Sequence, residues 1–160
     1  MRIGLCALLL CLPLRHIQLN SGFGYRTHPV YGKRQFHNGV DLKARHDTVF
    51  AILDGVVGST GYDDGFGLNI RIRHGNIQSL YGHLSAIMVH PLDSVKAGQS
   101  IGITGSTGLA TGEHLHFAMT YCGRPVNPIK FLYELLIKNE NEQKFQSPPD
   151  TAFGKADRGN

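Results

Sequence analysis

Alternation of apolar and polar residues is the dominant pattern in the middle of this chain. Between residues 68 and 73, Leu or Ile alternates with Asn or Arg, a period of two that is typical of an antiparallel strand with one buried face. This pattern predicts a strand over 68–74. Further runs rich in β-branched and aromatic residues, separated by Gly and Asp, predict strands over 48–52, 55–59, 77–84, 100–104 and 114–121. The glycine-rich residues 61–67 predict a flexible loop that rims a cleft.

Only the segment from 127 to 138 has the pattern of a good helix. Asn127 stands at the cap position and Pro128 in the first turn, as at many helix N-termini. The apolar residues that follow recur at helical spacing and form one stripe: Ile129, Leu132, Leu135 and Leu136. From residue 139 onward the composition becomes polar and loses periodicity, which predicts a disordered tail over 139–160.

Length and composition agree with a single mainly β domain. The 160 residues include 20 glycines, and glycine-rich sequence with little helical periodicity favours a turn-rich antiparallel fold. A chain of this size can bury a core without disulfide support. Its three cysteines form no paired framework and no Cys-x-x-Cys motif. We therefore predict one domain over 16–138.

Residues 1–15 form a separate apolar segment. A single Arg precedes an apolar run that is too short to span a bilayer but has the length of a signal-peptide core. No cleavage site of the small-x-small type follows it, so the alternative is a first strand or buried segment of the domain. We expect export to the periplasm or cell surface, with no stable membrane span in the mature chain.

The charge of the chain is mildly basic. The formal net charge is +4 and the basic residues are scattered along the sequence, whereas nucleic-acid-binding proteins concentrate them on one face. Nucleic acid is therefore not an expected partner. An anionic polymer is compatible with this charge.

Two histidines of the predicted strand 114–121 share one face. A period of two directs His114 and His116 to the same side, about 7 Å apart at their Cα atoms, and directs Leu115 and Phe117 to the other side. Two imidazoles at this spacing can serve one centre. The alternative is that they merely flank a buried Leu on a half-exposed strand.

A His and an Asp four residues apart form a second candidate pair. His37 and Asp41 would lie about 13 Å apart in a straight strand, so a turn or bulge at Asn38-Gly39 must fold them together. Tetrahedral zinc sites require donor atoms about 3.4 Å apart. The alternative is a solvated loop with a turn-stabilising Asp. His83, which follows a glycine, is by itself typical of a surface turn.

The combination of these segments resembles a known family. The sequences SGFGYRTHPVYG, HNGVDL, LYGHLS, HLHF and PVNP follow one another between residues 21 and 128, in the order and spacing of zinc endopeptidases of the lysostaphin and LytM type, peptidase family M23. The resemblance covers roughly residues 20–130. It implies an antiparallel β-sheet domain with a groove, of the duplicated-hybrid-motif kind, and one C-terminal helix.

The resemblance implies a single Zn²⁺ ion held by His37, Asp41 and His116. Three protein ligands leave a coordination position for water, which is the mark of a catalytic site. By position, His114 matches the general base and His83 the second catalytic histidine, which steadies the attacked carbonyl or assists proton transfer.

One further position is carried over from the family, and three glycines are expected to suit a thin, extended peptide. Tyr31 matches a tyrosine that stabilises the transition state in some members, and three small residues are expected to line the substrate groove: Gly65, Gly67 and Gly108. Glu113 and Ala118 depart from the family pattern, where Pro and Glu are common.

The substrate implied by the resemblance is the peptide part of bacterial peptidoglycan. Glycine bridges and D-amino-acid cross-links both remain open, and the sequence defines no oligomeric state. The alternative function is a non-catalytic module that binds envelope peptides or activates another wall hydrolase. A purely structural metal site is a third possibility.

Overall fold

The computed structural model describes residues 11–27 and 31–146. The strands and the helix within these residues are, in chain order, β1 (Leu19–Ser21), β2 (Gly24–Thr27), β3 (Arg34–His37), β4 (Gly39–Lys43), β5 (Thr48–Phe50), β6 (Gly55–Asp63), β7 (Gly67–His74), β8 (Ile77–Ile87), β9 (Ser94–Val95), β10 (Ser100–Thr104), β11 (His114–Tyr121), β12 (Arg124–Val126) and α1 (Pro128–Gln146). A mainly β fold with one C-terminal helix is thereby confirmed.

The strands form one large antiparallel sheet and one small hairpin. The large sheet has the order β1-β4-β11-β8-β7-β6-β9, with β12 paired to β11 and β10 paired to both β5 and β8. Strands β2 and β3 pair only with each other. Strand β11 therefore lies between β4 and β8, where it brings together residues that are distant in sequence.

The core lies on the apolar face of these alternating strands. Leu115, Phe117 and Met119 of β11 are buried in one cluster with Ile70 and Ile72 of β7. The predicted alternation is found at these core positions, but Asn69, which was predicted on the solvated face of β7, is buried as well. Tyr81 of β8 is fully buried among them. Its hydroxyl accepts a hydrogen bond from the backbone N–H of Ile52 at 3.1 Å, and burial raises the pKa of Tyr81 to about 12.

The predicted flexible loop over 61–67 is a tight hairpin instead. Strand β6 continues to Asp63 and β7 begins at Gly67. The Asp63 carboxylate accepts hydrogen bonds from the backbone N–H of Phe66 at 2.7 Å and from the Asn69 side chain at 3.0 Å. An Asp that bonds backbone groups a few residues ahead stabilises a turn, and this contact orders the segment.

Helix α1 begins as predicted but ends later. The Asn127 side chain accepts hydrogen bonds from the N–H groups of Ile129 and Lys130, and Leu132 packs in the core. The helix continues to Gln146, so the prediction of a disordered tail is wrong for 139–146. This stretch lacks an apolar stripe but contains Glu, Gln and Lys, which favour helices. The remainder, 147–160, lies outside the described residues.

The domain also begins earlier than predicted. Residues 1–10 lie outside the described part, but the Cys11 N–H donates to the Ile52 carbonyl at 2.8 Å and the Pro13 carbonyl accepts from Phe50 N–H at 3.0 Å. Leu14 is only 2% exposed. The segment 11–14 therefore packs on the folded domain through Pro13 and Leu14, which are buried, while Leu12 is exposed. The boundary at residue 16 is placed too late.

Within the described ranges, no helix combines the length and apolar character that crossing a bilayer requires.

Candidate active site

A break between two strands brings His37 and Asp41 together. Strand β3 ends at His37, β4 begins at Gly39, and the chain changes direction at Asn38. His37 Nε2 consequently lies 3.3 Å from Asp41 Oδ1, as the predicted turn requires. A Cβ on Gly39 would lie 2.7 Å from the Phe117 carbonyl oxygen and 2.9 Å from His116 Cε1, so only glycine lets β4 approach β11 here.

Strand register adds His116 to this pair. His116 on β11 lies directly opposite Asp41 on β4. Its Nδ1 is 3.0 Å from Asp41 Oδ1 and 3.2 Å from His37 Nε2, and all three residues are buried. Mutual distances of 3.0–3.3 Å are close to the spacing of about 3.4 Å between the ligands of tetrahedral zinc. These residues could hold a divalent metal ion.

Hydrogen bonds on the outer side of the cluster support the same interpretation. His37 Nδ1 donates to the Gly22 carbonyl at 2.8 Å, which leaves the Nε2 lone pair directed into the cluster. Metal-bound histidines commonly use their second nitrogen in this way. His116 faces the cluster with Nδ1, and its Nε2 is buried with no partner among the described residues.

The charge state of the cluster suits a cation. Burial alone would raise the pKa of Asp41, but its close polar contacts with His116 and His37 outweigh burial and hold that pKa well below its ordinary value. Burial lowers the pKa of His116. The carboxylate is therefore ionised and the His116 imidazole neutral near pH 7, the protonation states that metal binding requires.

His114 lies beside the cluster with one nitrogen directed at it. Its Nδ1 donates to the Gly112 carbonyl at 2.8 Å, and its Nε2 lies 3.6 Å from Asp41 Oδ1. Because Nδ1 carries the proton in this arrangement, Nε2 has a free lone pair. The side chain can accept a proton next to the ion site.

A bulge in β8 brings His83 to the same place. Gly82 and His83 together oppose the single residue Asn69 of β7, and His83 has a φ of 60°. Bulges redirect side chains in this way. The His83 ring lies 4.6 Å from that of His114, and the side chain is buried, in contrast to the surface turn expected from its position after a glycine.

Thr107 positions His83 through its backbone and supports it through its side chain. The Thr107 carbonyl accepts from His83 Nδ1 at 2.7 Å, and its hydroxyl donates to the Leu84 carbonyl at 2.7 Å while accepting from Leu68 N–H at 3.0 Å. Burial lowers the pKa of His83 to about 4. His83 is therefore neutral near pH 7, with its proton on Nδ1.

The histidines form the floor of a groove with a volume of about 640 Å³. One wall is the β2–β3 hairpin, and the other is formed by the turn before β7 and the loop before β11. The wall residues are Arg26, Thr27, Gln35 and Phe36 on the hairpin side, and Gly65, Phe66, Leu109 and Thr111 on the loop side.

Two of the three glycines predicted to line the groove have a different role. Gly65 lines it, but Gly67 and Gly108 are not among the lining residues. Their backbones contact each other, and a Cβ on Gly108 would lie 2.2 Å from Gly67 N. They allow the two loops of one wall to pack together. Tyr31 is exposed between β2 and β3 and is not a lining residue either, so its catalytic role stays a prediction.

Sequence reasoning missed Arg26. Its Nη2 donates to Asp41 Oδ2 at 3.1 Å. The signal available in the sequence was its place within SGFGYRTHPVYG, one of the segments that carry the family resemblance.

An antiparallel β domain with a His-Asp-His cluster and two further histidines in a groove defines a candidate metal-dependent hydrolase. The family model described as peptidase family M23 matches residues 35–128, and the chain belongs to this family. It is 42% identical over 107 residues to the peptidoglycan DD-endopeptidase ShyA of Vibrio cholerae, an alignment that covers 66% of this chain and 25% of ShyA. The chain spans about a quarter of the length of the curated relatives that it matches.

Solved structures agree with this assignment. A zinc-containing peptidase from Vibrio cholerae superposes with a TM-score of 0.70 at 34% identity, over 74% of this chain and 39% of that one. The catalytic domain of lysostaphin from Staphylococcus simulans gives a TM-score of 0.67 at 32% identity, over 73% of this chain and 92% of that domain. The described fold therefore corresponds to nearly all of a known catalytic domain.

Proposed function

We propose that this chain is a zinc-dependent endopeptidase that hydrolyses peptide cross-links of bacterial peptidoglycan. The observation that carries the proposal is the convergence of His37 Nε2, Asp41 Oδ1 and His116 Nδ1 within 3.3 Å of one another. Two imidazole nitrogens and one carboxylate oxygen are a donor set that catalytic zinc sites use. Membership of peptidase family M23 supports the same reaction.

Zinc is the proposed ion, and its ligands are His37, Asp41 and His116. When bound, it supplies a Lewis acid that polarises the scissile carbonyl and makes a neighbouring water acidic at neutral pH. The chain holds the ligand atoms together by the turn at Asn38 and by the β4–β11 register. The similarity to a zinc-containing peptidase supports the choice of zinc.

His114 is the proposed general base. Its Nε2 carries a lone pair next to the ion site because Nδ1 donates to the Gly112 carbonyl. It can therefore take a proton from the attacking water and later deliver that proton to the leaving amine. The distance of 3.6 Å from Nε2 to Asp41 Oδ1 leaves His114 outside the ligand set but close enough to act on a water in the groove.

His83 is the proposed second proton acceptor. Its Nδ1 proton is committed to the Thr107 carbonyl and its pKa is lowered to about 4. A neutral imidazole in this tautomer has only a lone pair at Nε2, so it cannot donate a hydrogen bond to a developing oxyanion. Of the two roles implied by the family, assistance with proton transfer fits these contacts better.

The proposed substrate is a peptidoglycan cross-link between D-amino acids. Two relatives with a DD-peptidase name, the DD-carboxypeptidase/endopeptidase Mpg and ShyA, are 42% identical over 73% and 66% of this chain. The glycyl-glycine endopeptidase ALE-1 of Staphylococcus capitis is 41% identical over 61%, so the longer alignments, and not the identity, support the choice of substrate. The groove of about 640 Å³ is large enough for an extended peptide. Action on this polymer implies export to the periplasm or the cell surface.

Digestion of purified peptidoglycan tests the proposal. The full chain, loaded with zinc, is incubated with directly cross-linked and with glycine-bridged walls, and released fragments are identified by mass spectrometry. We expect cleavage of the direct cross-links by wild type and by the control His90→Ala, whose side chain is exposed and remote. His114→Ala, Asp41→Ala and chelator-treated wild type should release nothing above background.

Equal release by all variants, or none by zinc-loaded wild type, would contradict the proposal. Binding to the walls without any release would instead support the non-catalytic module. Cleavage only of glycine-bridged walls would retain the enzyme and overturn the proposed substrate.

A further inference from the structure

The two carboxylate oxygens of Asp41 have separate partners. Oδ1 faces the cluster, at 3.0 Å from His116 Nδ1 and 3.3 Å from His37 Nε2. Oδ2 faces away from it and accepts a hydrogen bond from Arg26 Nη2 at 3.1 Å. The carboxylate is thus divided between a candidate metal site and a guanidinium group.

The β2–β3 hairpin brings Arg26 to this position. Gly24 pairs with His37 and Arg26 pairs with Gln35. The same short hairpin therefore carries the candidate ligand His37 and the guanidinium that contacts the candidate ligand Asp41. The Arg26 side chain is 24% exposed, and its Nε is buried with no partner among the described residues. The Arg26 side chain is therefore partly buried against the Asp41 carboxylate. Its charge-assisted hydrogen bond to Oδ2 would fix the orientation of that carboxylate.

We propose that Arg26 is a positioning residue that keeps Asp41 a one-oxygen ligand. Carboxylates bind metal ions through either one or both oxygens. If Oδ2 joined Oδ1 on the ion, it would take the coordination position that water needs in a catalytic site. The hydrogen bond from Arg26 occupies Oδ2 and so keeps that position available. The inference rests on the proposed metal site, but not on the identity of the substrate.

Substitution of cobalt(II) for zinc reports the coordination number of the bound ion without any substrate. The visible absorption of protein-bound cobalt weakens as its coordination number rises. We expect the cobalt-loaded full chain carrying Arg26→Gln to absorb more weakly than wild type. In zinc-loaded enzyme the same variant should lower kcat by about 10-fold or more, because outer partners of metal ligands typically contribute 10- to 100-fold, with a much smaller change in KM.

Two variants serve as controls. Arg34→Gln removes another guanidinium of the same hairpin. The Arg34 guanidinium lies 5.1 Å from the Tyr25 ring centre and, within the described residues, has no contact with His37, Asp41 or His116, so the cobalt spectrum of this variant should match wild type. Arg26→Lys keeps a cationic donor for Oδ2 and should recover part of the wild-type spectrum. Circular dichroism confirms that each variant is folded.

Identical cobalt spectra for wild type and Arg26→Gln would overturn the proposal. Complete loss of cobalt binding by Arg26→Gln would also overturn it, because Arg26 would then determine the affinity for the metal ion. Should Arg26→Gln not fold, a crystal structure of the zinc-loaded wild type decides: one short and one long zinc–oxygen distance to Asp41 is expected, and two short distances would contradict the proposal. The cobalt spectra and the crystal structure require no cleavage, so a chain that fails to digest peptidoglycan can still support or refute the role of Arg26.

Discussion

The backbones of Gly67 and Gly108 are so close that a Cβ on Gly108 would lie 2.2 Å from Gly67 N. Both residues have positive φ angles, of 61° and 72°. Thr107, whose carbonyl holds His83 Nδ1, lies next to Gly108. The contact between two backbone loops therefore supports a histidine of the groove.

Substitution of Gly108 tests this coupling. We expect Gly108→Ala to lower the free energy of unfolding by about 2–4 kcal/mol, the cost of overpacking combined with a strained backbone, and to reduce kcat by displacing Thr107. Chemical denaturation and steady-state kinetics measure the two effects. The matched control is Gly112→Ala in the same loop, where a Cβ would meet nothing within 4 Å. Equal stability of the two variants would show that the loop contact is unimportant.

Leu14 tests whether the domain includes residues 11–14. Leu14 belongs to the core cluster, so Leu14→Ala should lower the free energy of unfolding by about 2–5 kcal/mol, as other buried Leu→Ala changes do. Leu12→Ala provides the control, because Leu12 is 38% exposed and should change stability by less than about 0.5 kcal/mol. Urea denaturation of both variants gives the answer, and a Leu14→Ala variant as stable as wild type would place this segment outside the folded domain.

His74 should make stability depend on pH at a place remote from the groove histidines. Its Nδ1 contacts the Asp54 carbonyl at 2.9 Å and its Nε2 the Ser79 hydroxyl at 2.8 Å, and burial lowers its pKa below the ordinary 6.5. The unfolded chain then binds this proton more readily than the folded one. The stabilisation from His74 is complete above pH 6.5 and is lost as the pH falls below that value.

Denaturation at a series of pH values between about 7 and 5 measures this dependence. His74→Gln removes the titrating group, so its stability should fall less steeply with decreasing pH than that of wild type. Parallel curves for the two proteins would contradict the assignment.

His114→Ala should separate chemistry from metal binding. His114 lies outside the three-atom cluster, so zinc affinity is expected to stay close to that of wild type. Loss of a general base lowers kcat by about 10²- to 10⁴-fold. Zinc competition with a chromophoric chelator and peptidoglycan digestion report the two quantities. A large loss of zinc affinity in His114→Ala would make this residue a ligand rather than a base.

The sequence pattern predicts local features of this protein well. The alternation in β11 correctly assigns Leu115 and Phe117 to the core and His114 and His116 to the opposite face. The Asn127 cap is equally local and is also found. Such features depend on residues a few positions apart, where strand and helix periods act directly.

Features that depend on strand pairing could not be derived this way. The contact between Asp41 and His116 spans 75 residues and depends on the β4–β11 register. The sequence pattern does not give this register, so the contact was predicted from the family resemblance alone. The bulge at His83 and the bond from Arg26 to Asp41 arise from tertiary packing that no local period encodes. Gly67 and Gly108 were predicted to line the groove because the sequence does not show that their backbones contact each other.

Zinc content under equilibrium dialysis tests the central claim most directly. The account predicts one tightly bound zinc ion per wild-type chain, and stabilisation against thermal unfolding of about 2.7 kcal/mol at a free zinc concentration of 100 times Kd. Asp41→Ala and His116→Ala should lose both the ion and the stabilisation, while His90→Ala keeps them. A wild-type chain that binds no zinc, or an Asp41→Ala variant that binds it as tightly, would contradict the account.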